Sequence, residues 1–192
     1  FLTLKFFIMK KMLVLFWGAA LFIGCNNDAE KKSDTADTAP AATATAIQDA
    51  EFADAKYVEI GKKGIAALSA GDVAGWMNGY ADSAVYVWNN GDSVAGKAAI
   101  TAYWQKRRTE AIDSISFSRD VWLPVRVNKP QNSAQLPGVW LLGWYQVNVK
   151  YKSSGKKMTQ WIHTLMHFDA NDKVDRAIQF LDRVPINAAM AK

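Results

Sequence analysis

The two histidines of the chain stand at positions 163 and 167 in "WIHTLMHFD". Histidine is the side chain suited to proton transfer near neutral pH and to metal ligation. Both lie in a run rich in β-formers, where even spacing places them on one strand face, four residues and roughly 13 Å apart. That separation is too long for one shared metal ion and leaves proton transfer as the chemistry open to either. The face with Trp161, His163, Leu165 and His167 alternates with one carrying Ile162, Thr164, Met166 and Phe168. Both are apolar, and periodicity leaves open which of them lines an interior. The single cysteine, Cys25, excludes an internal disulfide and a zinc site of several thiolates. "GDSVAGKA", residues 91–98, approaches a phosphate-binding loop through Gly91, Gly96 and Lys97. It lacks the hydroxyl that would hold magnesium, because Ala98 follows the lysine. Neither a metal nor a cofactor is expected.

Cys25 has a different setting. Residues 9–25, "MKKMLVLFWGAALFIGC", run from a basic start through an apolar stretch, Met12 to Ile23, to a small residue and the cysteine. The stretch is short for a bilayer span and has the layout of a secretory signal. Its end resembles the lipobox of bacterial lipoproteins, with Phe22 where leucine is usual. The resemblance implies that Cys25 is lipidated and that the protein faces the periplasm or the cell surface. Met9 is then the natural start. Residues 26–48 are built mainly from Ala, Thr, Asp and Lys, too polar to offset the entropy of ordering them. As a tether of about 22 residues they would reach roughly 25 Å.

The elements that must position any chemistry follow. Ala53, Tyr57, Ile60, Gly64, Ala67 and Leu68 recur at helical spacing, so a helix is expected over 50–68. Gly71 suits its end and Asp72 the start of a second helix with Val73, Trp76, Met77 and Tyr80 on its stripe. Val85 to Trp88 reads as a strand and Asn90-Gly91 as a hairpin turn. A third helix from Lys97 to about Thr109 would bury Ile100, Tyr103 and Trp104 and leave Lys106, Arg107 and Arg108 to solvent. The period then becomes two. In "SISFSRDVWLPVRV" one face carries Ile115, Phe117, Val121, Leu123, Val125 and Val127, and the other Asp120, Trp122 and Arg126. Tyr145 to Tyr151 and the runs after "SSGKK" and "ANDK" continue as strands. Three helices ahead of an antiparallel meander make an α+β plan.

Gly71-Asp72, Tyr80-Ala81-Asp82, Gly91, Gly96-Lys97 and the closing "FDANDKVDRAIQFLD" together resemble the nuclear transport factor 2-like superfamily, and within it the SnoaL-like branch. The likeness covers about residues 50–184. It implies three N-terminal helices packed in a curved antiparallel sheet, a cone with a pocket at its open end, and a homodimer formed through the sheet's outer face. The boundaries become 1–25 signal segment, 26–48 tether, 49–187 domain and 188–192 tail. A fold does not name a reaction. Relatives acting as isomerases or hydrolases use a carboxylate in an apolar cavity as proton acceptor, assisted by Tyr, Asp or His. Here that implies Asp182, Asp120 and His163 as catalytic candidates with Tyr80 or Tyr103 assisting.

Half of the residues are hydrophobic and eight are tryptophan, enough for one core and an aromatic pocket. Trp76, Tyr80, Tyr103, Trp104, Trp122, Trp144 and Trp161 are the candidates to line it. The net charge is +5, but Lys5, Lys10 and Lys11 precede Cys25. Without them 20 basic side chains face 18 acidic ones, or +2, which supports no nucleic-acid partner. The expected function is a membrane-tethered domain binding a small apolar or aromatic molecule. A proton-transfer enzyme and a dimeric partner-binding module are the alternatives.

Overall fold

The computed structural model describes residues 47–191. Cys25, the signal segment and nearly all of the expected tether lie outside them. The described elements are β1 (Ala50–Phe52), α1 (Lys56–Ala70), α2 (Val73–Met77), β2 (Tyr80–Trp88), β3 (Ser93–Ala95) and α3 (Lys97–Lys106), then a π-helical turn (Arg107–Ala111), β4 (Ile112–Val127), β5 (Gly138–Tyr151), β6 (Lys157–Phe168), β7 (Val174–Phe180) and α4 (Arg183–Met190). The strands form one sheet in the order β1-β4-β5-β6-β7-β2-β3. All neighbours are antiparallel except β2 and β7, which are parallel.

Local chemistry sets the helix ends. Gly71 takes φ +79° and donates its N–H to the carbonyls of Ala67 and Leu68, closing α1. A left-handed residue there is what glycine supplies without strain. Asp72 accepts the Gly75 N–H at 2.7 Å and starts α2. At the β2–β3 turn, the Trp88 N–H donates to Asp92 and the Gly91 N–H to Trp88. The chain ahead of Lys56 is not helical, contrary to the sequence expectation. Ala50–Phe52 instead pairs with Phe52 opposite Val125, since the edge of β4 offers backbone partners that an isolated first helical turn lacks.

Three further expectations are corrected. The β4 face does not run continuously from Ile115 to Val127. The register with β5 shifts between Ser118 and Val121, where Arg119 adopts φ +54°. This bulge reverses the parity of the strand, because one unpaired step turns every later side chain over. Trp122 therefore faces inward with Ile115 and Phe117, while Val121 is 57% exposed. Arg107 is not turned to solvent, since its side chain lines the interior cavity. Residues 183–190, for which no element is expected from sequence and of which 188–190 fall in the expected tail, form α4, capped by the Asp182 carboxylate accepting the Val184 N–H at 2.8 Å.

The helices α1 to α3 pack inside the sheet's curve. Their core contains Tyr57, Leu68, Trp76, Met77, Tyr86 and Leu141. A second cluster, with Ile112, Val149, Tyr151, Met158 and Ile162, packs against Ile186 and Ala189 of α4. The C-terminal turn of α4 is held by Ser153 and Ser154, whose hydroxyls donate to the Met190 and Ala189 carbonyls.

Candidate functional site

The inward faces of the sheet strands and the helices enclose a cavity of about 360 Å³. Its size suits a small organic molecule. The side chains from β5 and β6 that line it include Tyr145, Val147, Val149, Tyr151, Ile162, Thr164 and Met166. The face of β6 left undecided by periodicity is thus settled as the one carrying Ile162, Thr164 and Met166. Leu68, Trp76 and Tyr80 close the helical side, and Ile186 of α4 adds a further wall.

Trp122 is held in the wall by close approach. A Cβ on Gly143, its partner across β4 and β5, would lie 2.4 Å from the indole, and one on Gly61 would lie 2.8 Å from it. Only residues without a side chain leave room for the ring on both flanks. Its Nε1–H donates to the Asp120 carboxylate at 2.6 Å.

The polar groups of the wall are few and mostly neutral. Tyr145 and Thr164 share a buried hydrogen bond of 2.9 Å. Burial pushes the Tyr145 phenol up to about 12, with the Thr164 bond opposing. Burial also raises Tyr80 and Tyr86, each reinforced by neighbouring tyrosines. Tyr151 is raised by burial against the pull of the Arg107 guanidinium. At neutral pH these phenols are uncharged hydrogen-bonding groups on an apolar surface. Arg107 and Lys63 are the cations on the wall, and among the described residues that line the cavity there is no Asp, Glu or His.

The candidates named from sequence divide. Trp76, Tyr80, Trp104 and Trp122 line the cavity. Tyr103 packs instead on Trp88, 5.0 Å between ring centres. Trp144 and Trp161 sit on the outer face of the sheet, 36% and 51% exposed. His163 shares that face, stacked 4.5 Å from Trp144, and its Nδ1–H donates to the Gly143 carbonyl at 3.0 Å. His167 bridges Asp175 and the Pro137 carbonyl, at 2.6 and 3.0 Å. Asp120 and Asp182 are exposed and engaged as partner of Trp122 and cap of α4. The three catalytic candidates are not brought together, and none lines the cavity. Arg107 is the wall residue that sequence reasoning missed. Its signal was present: it lies three residues after Trp104 and seven after Ile100, in line with the stripe of α3 where the chain enters the π-helical turn.

No protein-family model matches the chain, and no curated protein is similar to it. Solved structures do match. A candidate polyketide cyclase of Pseudomonas putida superposes with a TM-score of 0.56 at 16% identity, covering 69% of this chain and 96% of its own. A nuclear transport factor 2-like protein of Burkholderia xenovorans gives 0.54 at 18%, covering 73% and 100%. A candidate SnoaL-like polyketide cyclase of Shewanella denitrificans gives 0.53 at 13%, covering 71% and 97%. With its helices inside a curved, unclosed sheet, the described chain has the nuclear transport factor 2-like fold.

Proposed function

We propose that this protein is a binding domain whose cavity takes a small apolar or aromatic molecule. In this reading Cys25 holds it at a bacterial envelope membrane, and two copies pair through the outer face of the sheet. The observation that carries the binding reading is the composition of the wall. It is apolar and aromatic, and its few polar groups suit orienting a ligand. A proton-transfer enzyme of this fold would need a proton acceptor at the ligand. Among the described lining residues there is no carboxylate or imidazole for that role.

The test is a titration of the full-length chain, held in lipid nanodiscs, with naphthamide, an uncharged aromatic probe. Trp76, Trp104 and Trp122 lie in the wall, so saturable quenching of tryptophan fluorescence is expected. Val149 also lines the cavity, and Val149→Phe should fill it and weaken binding by about tenfold. Quenching that does not saturate, or is indifferent to Val149→Phe, would remove the cavity as the binding site.

A further inference from the structure

Among the described residues, three buried side-chain nitrogens lack a hydrogen-bond partner: Trp104 Nε1, Arg107 Nε and Arg108 Nη1. Two of the three belong to residues that line the cavity. Buried donors are nearly always satisfied, because leaving one unmade forfeits its hydration without return. None of the ion pairs among the described residues includes Arg107. The guanidinium lies 5.9 Å from the ring centres of both Tyr103 and Trp104, aromatic neighbours that tolerate a cation without neutralising it.

The backbone at this point is also unusual. Arg107 opens the π-helical turn, and its carbonyl accepts the Ile112 N–H five residues on. Such wide turns cost hydrogen-bond geometry and concentrate at functional positions. The Tyr151 phenol shares a hydrogen bond with the Arg107 guanidinium but is neutral, so the charge stays unmatched and Nε has no partner; the other cationic side chain of the wall, Lys63, is exposed.

We propose that Arg107 and the indole N–H of Trp104 form an anion-recognition site in the cavity wall, and that the ligand is an apolar or aromatic molecule bearing one carboxylate. This rests on the cavity being the binding site. A carboxylate accepts from the planar guanidinium fork and supplies the acceptor that both orphaned donors lack. The apolar wall takes the body of the molecule, and orientation follows from the position of its single charge.

The experiment compares naphthoate with naphthamide on the full-length chain in nanodiscs. The wild type should bind the carboxylate at least about tenfold more tightly, the size of one charge-assisted hydrogen bond. Arg107→Met should abolish that preference, weakening naphthoate at least about tenfold more than naphthamide. Retained amide binding also reports that the variant is folded. Arg107→Lys should keep part of the preference, and Lys106→Met, at an exposed lysine that is not among the lining residues, should keep all of it. Equal binding of the two probes by the wild type overturns the anion site and leaves the apolar cavity standing, and so does a preference that survives Arg107→Met. Binding of neither probe overturns both readings.

Discussion

Tyr145 shows how burial fixes the chemistry of this cavity. Its phenol is pushed up to about 12 by burial, from an unfolded value near 10. Below about pH 10 the phenol is neutral folded or unfolded, and its contribution to stability is fully present. Between about 10 and 12 the unfolded chain releases the proton and the folded chain does not, so stability falls by about 3 kcal/mol. Tyr80 and Tyr86 are shifted in the same direction. Urea midpoints should therefore be flat from neutral pH to about 9 and drop steeply above 10. Tyr145→Phe should cost about 1 kcal/mol at neutral pH, through the lost Thr164 bond, and make the alkaline drop shallower. An alkaline slope identical in the two proteins would refute the assignment to Tyr145. Arg107 carries the lesson on legibility at this scale. Its place in line with the α3 stripe was visible in the spacing, but a cation reads as solvent-facing until the burial of its unpartnered Nε is known. That fact belongs to three-dimensional contacts and not to residue order.

The sheet explains which elements were legible. From Leu141 to Tyr151 the burial of β5 alternates, and Tyr145, Val147, Val149 and Tyr151 could be placed on one face from sequence. In β4 the alternation is broken by the bulge at Ser118–Val121, and nothing in "SFSRDVW" forbids continuing the old parity. The side chain that decides the matter is Trp122, whose ring fits only against Gly143 and Gly61. These glycines are remote in sequence, so the constraint is invisible until the strands pair. The outer face of the same sheet sets a further expectation. His163 lies between Trp144 and Phe180, 4.5 and 5.8 Å from their rings. Trp161 is 51% and Phe180 44% exposed. Exposed aromatic clusters of this kind are disfavoured in water and suit association. If two copies pair here, sedimentation should give a dimer at micromolar concentration. Trp161→Lys should then shift it toward monomer, since an unpaired charge in a desolvated interface is costly. A wild-type chain that stays monomeric at every concentration would rule the interface out.

At the scale of the whole chain, the proposed binding function and the proposed membrane attachment are separable physical problems. Downstream of Cys25 the basic and acidic side chains number 20 and 18. A net charge of +2 gives little electrostatic attraction to anionic lipid, where each unopposed basic residue near the surface contributes about 1 kcal/mol. No helix among the described residues is long and apolar enough to cross a membrane. In the proposed reading the anchor is acyl chains on Cys25, at about 0.8 kcal/mol per buried methylene, and more than one chain is needed for stable anchoring. Lipidation at Cys25 meets that requirement if the segment ahead of it is removed. Expressed in a bacterial host, the wild-type chain is expected in the membrane fraction, beginning at Cys25 and heavier than its sequence by the attached lipid. Cys25→Ser should abolish the added mass and either release a cleaved protein to the soluble fraction or leave the precursor unprocessed. Naphthamide affinity should be the same in both, because the described residues that line the cavity all lie beyond Cys25. A wild-type protein recovered soluble with an unmodified thiol would remove the anchor and leave the cavity argument intact.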